Sequence, residues 1–196
     1  MKDQLLDITS FLKLILESLE AAKIDYLIGG AIAEWAWGEP RATQDLDIVI
    51  NLSIKAVNRF SRELEKRNML VPADIILDTM MEDSADIPLN AIHIYSGLKA
   101  DLYLMRQGDA LRKNAFQRRI LVDYGPPIGE VYVHSPEDLI LYKLIYLGLS
   151  GQPKHARDIA AILRAKRGQL DFGYIQGWVD QLGLSSVWKE IQDGLA

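Results

Sequence analysis

The chain contains no cysteine, which excludes disulfides, thiolate metal ligands and cysteine nucleophiles. Histidine is scarce, with three residues in 196. His93, His134 and His155 lack the close spacing of a zinc site. No Gly-Lys-Ser or Gly-Lys-Thr occurs and no GxGxxG follows a strand, so P-loop NTPase, kinase and Rossmann readings fall away. Apolar runs of about 18 residues, the length of a membrane-spanning helix, are also missing. An amphipathic pattern starts at the N-terminus with no basic region, apolar stretch and cleavage site before it. The expectation is a cytoplasmic protein with no membrane partner. Basic charge is not in surplus either. The formal net charge of -5 argues against a general nucleic-acid binder, whose affinity comes from clustered Lys and Arg, but leaves room for a local basic groove.

What is present is the composition of a folded protein, 49% hydrophobic and 25% charged. The length suits one domain, or a domain with an appendage. Residues 4–22 carry apolar side chains at helical spacing, with Asp3 as the expected N-cap. The short apolar segment 25–28 stops at Gly29-Gly30 and leads into residues 31–37, a pattern of strand, tight turn and helix that Gly38 and Pro40 end. A polar loop, 39–44, precedes a second strand. Ser53 is the expected cap of a helix reaching Arg67. Residues 73–86, with Asp74, Asp78, Glu82, Asp83 and Asp86, read as an acidic surface helix. Segments 89–95 and 98–104 flank Ser96-Gly97 as a hairpin. A short helix over 109–116 and strands over 119–124 and 131–134 follow. After Ser135-Pro136-Glu137 the pattern is helical, over 139–149, 155–166, 174–182 and 186–191. The expected fold is α+β: a mixed sheet flanked by helices over 1–134, with a C-terminal helical extension, 135–196, packed on it.

The most informative feature is Asp45-Leu46-Asp47-Ile48-Val49-Ile50. On a strand, residues i and i+2 face one side, so two carboxylates would stand together where repulsion is costly without a cation or proton between them. Mg²⁺ is the natural occupant, because it prefers carboxylate oxygens and completes its shell with substrate phosphates. Phosphate chemistry is therefore expected.

Taken in order, Gly29-Gly30, Arg41-Ala42-Thr43-Gln44-Asp45-Leu46-Asp47-Ile48 and Lys99-Ala100-Asp101-Leu102 resemble the signature of the DNA polymerase beta-type nucleotidyltransferase superfamily. That signature is a glycine pair on a strand-to-helix turn, an acid-x-acid strand, and a third acid on a later strand. The branch it is most similar to is that of small bacterial nucleotidyltransferases, which includes abortive-infection toxin relatives and antibiotic-modifying enzymes. Ser135-Pro136-Glu137-Asp138-Leu139, Lys143 and Arg157-Asp158 resemble that branch's C-terminal helices, although Ala161 replaces the further acid often found in the toxin relatives.

The resemblance implies that Gly29 and Gly30 cradle a nucleoside triphosphate, and that Asp45, Asp47 and Asp101 hold two Mg²⁺ ions about 4 Å apart. Asp101 would also help deprotonate an acceptor hydroxyl. Arg41, Lys143 and Arg157 would bind the nucleotide, with a solvent-facing arginine as the alternative for Arg41 and a snorkelling surface lysine as that for Lys143. The implied activity moves a nucleoside monophosphate from an NTP to a hydroxyl-bearing small molecule, RNA or protein and releases pyrophosphate. Two other readings stay open: a catalytically silent domain of the same fold that binds a nucleotide or a partner, and a tRNA-directed toxin with an antitoxin partner. Trp35 and Trp37 read as core aromatics rather than nucleobase contacts.

Overall fold

The computed structural model describes residues 6–82 and 86–194. Its centre is a six-stranded mixed sheet made of β1 (Tyr26–Ile28), β2 (Asp45–Ile50), β3 (Leu89–Ile92), β4 (Lys99–Leu104), β5 (Ile120–Asp123) and β6 (Glu130–Val133). The strand order is β3-β4-β2-β1-β6-β5. β2 runs parallel to β4 and β1 parallel to β6, while the other neighbouring pairs are antiparallel.

Nine helices surround the sheet among the described residues: α1 (Ile8–Ala22), α2 (Gly30–Trp37), α3 (Val57–Glu65), α4 (Ala73–Met81), α5 (Ala110–Gln117), α6 (Pro136–Ser150), α7 (Pro153–Ala165), α8 (Phe172–Gln181) and α9 (Ser185–Asp193). The apolar stripe of α1 (Phe11, Leu12, Ile15, Leu19) packs with Phe60 and Leu64 of α3 in one core with Leu46, Ile48 and Ile50 of β2. Alternation along the strands sends the remaining side chains to the other face. There Leu27 and Val49 meet Ala115 and Phe116 of α5, with Tyr103 and Tyr142 packed against them. One face of the sheet is thus sealed by α1 and α3. The other is only partly covered, by α5 and α6, and the uncovered part holds Asp45, Asp47 and Asp101.

Several expected boundaries shift. α1 begins at Ile8, and its N-cap is Asp7, which accepts from the Ser10 amide at 2.7 Å; the expected cap, Asp3, lies outside the described residues. Ser53 makes no capping hydrogen bond, because a 3-10 turn (Ile54–Ala56) precedes α3. The acidic segment is helical only to Met81, and Asp83 lies outside the described residues. Asp86, past the end of the helix and half exposed, accepts from the Arg112 guanidinium through both its oxygens.

The helical extension shares the core of the sheet. Leu139, Ile140 and Leu144 of α6, Ile159 of α7, Ile175 of α8 and Trp188 of α9 all belong to the cluster that contains Ile48. A polar joint fixes its entry. Ser135 caps α6 by accepting from the Asp138 amide at 3.1 Å and donates to the Asp138 carboxylate at 2.6 Å. Asp138, wholly buried, also accepts from the Tyr174 hydroxyl and from Arg118, whose guanidinium lies 3.9 Å over the Tyr174 ring. Removing the hydroxyl loses a cap and one partner of a buried carboxylate. Ser135→Ala is expected to lower the unfolding free energy by about 1–2 kcal/mol, read as a lower urea midpoint with an unchanged slope.

Candidate active site

The register of β2 against β4 pairs Asp45 with Lys99 and Asp47 with Asp101. Neighbouring strands lie about 4.8 Å apart, and paired residues share a face. Two strands that alternate in step therefore display a two-by-two array of three carboxylates and one ammonium. Lys99 donates to Asp101 Oδ2 at 2.8 Å and lies 3.9 Å from Asp45 Oδ1, and these hydrogen-bonded and charged neighbours raise its pKa. Asp47 has no such direct partner. Burial raises its pKa, with the charges of Asp101 and Asp45 adding to the effect and Lys143 and Lys99 opposing it.

The glycine turn is fitted to this carboxylate. Gly30, the first residue of α2, has φ +56°, and a Cβ there would lie 1.9 Å from Asp47 Oδ2. Glycine is required twice over, by the left-handed backbone and by the approach of the carboxylate. The Gly29 amide donates to the Asp47 carbonyl at 2.8 Å and is used by the fold. The donors left over at this turn are the first amides of α2, whose partners a helix does not supply.

Lys143 is no surface lysine. It is 4% exposed, and its ammonium contacts Glu34 of α2 and Asp158 of α7. Arg41 completes the cluster from the loop before β2, with Nε 3.6 Å from Glu34 Oε2 and 3.5 Å from Asp158 Oδ1. Burial, aided by the neighbouring Asp158 and opposed by Lys143, pushes Glu34 up to about 7. Asp158 is held below its ordinary value despite its burial, by hydrogen bonds from Glu34 and Lys143.

These groups border one cavity of about 340 Å³, whose lining includes Gly29, Gly30, Arg41, Asp45, Asp47, Asp101 and Lys143. Seven of the eight site residues expected from sequence therefore meet there. Arg157 does not. It is exposed and borders a separate depression beside Glu39 and Pro40, because α7 turns Asp158 inward and its neighbour outward. Trp35 and Trp37 also stay out of the lining; their indoles donate to the carbonyls of Arg41 and His134.

Sequence reasoning missed the partners of Lys143 and the aromatic wall of Tyr103, Tyr142 and Tyr146. Tyr103 could have been found by stepping two residues on from Asp101. The spacing of Leu139, Tyr142, Lys143, Tyr146 and Ser150 marks a single helix face, and all five line the cavity. His134, His155, Arg112 and Lys154, also in the lining, carry no local signal.

Among the described residues no three carboxylate or imidazole side chains are already drawn around one point. The donor set nonetheless suits a hard divalent ion: three carboxylates on one face, with Asp101 Oδ1 buried and without a hydrogen-bond partner and Asp47 crowded by like charge.

No family model matches the sequence, and no curated protein does. Solved structures do. The antibiotic-resistance factor ANT(2'')-Ia in solution aligns with TM-score 0.57 and 14% identity over 95% of this chain and 94% of that one. In complex with adenylyl-2''-tobramycin it aligns with TM-score 0.55 and 12% identity over 96% and 98%. An antigenic nucleotidyltransferase-like protein from Paracoccidioides brasiliensis gives 0.53 and 17% over 96% and 93%. The fold is that of the nucleotidyltransferases.

Two outcomes follow from the geometry. Glu34 keeps its proton to a higher pH folded than unfolded, so it makes stability fall as pH rises from about 4.5 to about 7. Glutamine mimics the protonated form and has no such dependence. Glu34→Gln is expected to match the wild type near pH 5 and to gain on it by on the order of 1–3 kcal/mol by pH 8, measured by urea unfolding at each pH; a constant difference would contradict the assignment. Gly30→Ala must displace the Asp47 carboxylate and strain the turn. It is expected to lose about 1 kcal/mol or more in the same assay.

Proposed function

We propose that the chain is a Mg²⁺-dependent nucleotidyltransferase that moves a nucleoside monophosphate from an NTP to a hydroxyl-bearing acceptor. The observation that carries this reading is the pairing of Asp47 with Asp101 in one register, with Gly30 closed against Asp47. A structural core gains nothing from that arrangement, because two partly buried carboxylates side by side repel and destabilise the fold. The fold of a neighbour that holds an adenylylated antibiotic supports a nucleotide donor and a small-molecule acceptor.

In this reading Asp45, Asp47 and Asp101 hold the Mg²⁺, which when bound neutralises triphosphate charge and favours the ionised acceptor oxygen. The first amides of α2 and its positive dipole end face the triphosphate. Lys143 and Arg41 supply positive charge on the α6 side of the cavity. Their carboxylate partners fix both side chains in place before substrate arrives, and this preorganisation is what electrostatic catalysis needs. Asp101 accepts the proton of the acceptor hydroxyl. The acceptor oxygen bonds to the α-phosphorus, the bond from that phosphorus to the bridging oxygen breaks, and pyrophosphate departs with the electron pair.

A second reading, nucleotide binding without transfer, draws on one feature. Lys143 is already neutralised by two carboxylates, as an ammonium with a structural role would be.

Asp47→Asn separates the two readings. It relieves a repulsive, partly buried carboxylate, so the melting temperature without metal should stay level or rise. Mg²⁺-dependent pyrophosphate release from NTP and acceptor should fall by at least about a thousandfold. Near wild-type turnover would remove Asp47 from the mechanism. No pyrophosphate from the wild type with any acceptor, alongside tight NTP binding, would favour the silent domain.

A further inference from the structure

His134 follows β6 on the cavity side of the sheet. It is 3% exposed, lines the cavity, and neither of its ring nitrogens has a hydrogen-bond partner. Its position is fixed by its own backbone, with the amide donating to Ile28 and the carbonyl accepting from Trp37 Nε1 at 2.6 Å. The ring packs against Tyr142, with centroids 4.8 Å apart and planes inclined by 39°. The Tyr142 hydroxyl is likewise buried without a hydrogen bond. Three buried polar atoms on two touching rings thus lack partners. Leaving such groups unsatisfied is costly, and native proteins seldom do so without a use for them.

The chemistry of the pair narrows what they meet. A neutral imidazole offers one donor and one acceptor, and a phenol adds a rotatable O–H. A phosphate needs several donors and an ammonium several acceptors, so neither is matched. A heteroaromatic edge with neighbouring donor and acceptor atoms is matched; Val49, Tyr103 and Leu139 line the cavity beside it, and Arg112, whose charge faces both rings, is already held by Asp86 and Asp109. Burial pushes the imidazole down to about 3, so it keeps this neutral pattern throughout the physiological range.

Position selects the donor nucleotide over the acceptor. In the strand order β4-β2-β1-β6, Asp101 stands on one side of Asp47 and His134 on the other. The Gly29-Gly30 turn lies between Asp47 and His134: a Cβ on Gly29 would be 3.9 Å from the Asp47 Cβ and 3.8 Å from His134 Cε1. The acceptor meets Asp101, and the triphosphate meets the turn. We propose that His134, with Tyr142, is the specificity-determining contact for the nucleobase of the NTP. This inference rests on the nucleotidyl-transfer reading above.

The test is calorimetric titration of the full chain, with Mg²⁺, by each of the four NTPs and by inorganic tripolyphosphate. The wild type should prefer one or two bases and bind the favoured NTP about tenfold or more tightly than tripolyphosphate. His134→Leu should lose about tenfold in affinity for the favoured NTP and level the ranking of the four bases, while the tripolyphosphate affinity stays put. A merely structural residue would move both. Tyr142→Phe, which deletes a single oxygen, should shift the same ranking in a smaller degree. Unchanged NTP affinities and ranking in both variants would overturn the proposal, as would a wild type that binds tripolyphosphate as tightly as every NTP; both leave nucleotidyl transfer standing. A wild type that binds neither NTP nor tripolyphosphate would overturn both.

Discussion

The enforced neighbourhood of Asp47 and Asp101 constrains everything around it. A parallel ladder fixes the two residues at one level on adjacent strands, and their partial burial weakens the screening that water would give. Their repulsion can be met only by positive charge or by a proton. Lys99 takes part of that burden by binding Asp101, while Asp47 is left with an elevated pKa. The turn at Gly30 then closes over the same carboxylate, so the least comfortable charge of the sheet lies against the start of a helix. In the proposed reading cation and phosphate share one address, because the backbone puts the glycine and the aspartate there together.

A second electrostatic unit holds the two halves of the cavity in relation. Lys143, Glu34, Asp158 and Arg41 come from α6, α2, α7 and the loop before β2, so the cluster ties the glycine-turn helix to the helical extension. Burying three ionisable groups, with Arg41 half exposed at their edge, is expensive, and the gain in stability over apolar packing is small or negative. What the cluster supplies is position. Removing the Lys143 charge alone would strand two carboxylates, so that lysine cannot be probed as a surface residue would be.

Much of this was legible in the sequence because the informative residues are close together and periodic. Asp45 and Asp47 alternate on one short strand and Gly29-Gly30 ends another, so the α+β pattern and the first two carboxylates followed from spacing, while Asp101 joined them through the resemblance to the nucleotidyltransferase signature. The content of the cavity beyond them was harder to see. Glu34 and Asp158 are distant from Lys143 in the chain, and only the packing of three helices makes them its partners. His134 read as an isolated histidine because its importance lies in what it lacks, a hydrogen bond, which no sequence pattern encodes. Arg157 lies outside the cavity for the converse reason: adjacent helical residues point about 100° apart, and Asp158 took the inward direction.

The central claim is that the aspartate face binds divalent metal together with a nucleoside triphosphate. Mn²⁺, which substitutes for Mg²⁺ at oxygen sites, can be counted by electron paramagnetic resonance during titration of the protein with and without a non-hydrolysable NTP. The expected result is Mn²⁺ bound by the protein and NTP together, beyond what NTP binds alone, and lost in Asp101→Asn. The same quantity of bound Mn²⁺ in the wild type and in a variant with Asp45, Asp47 and Asp101 all changed to Asn would contradict it.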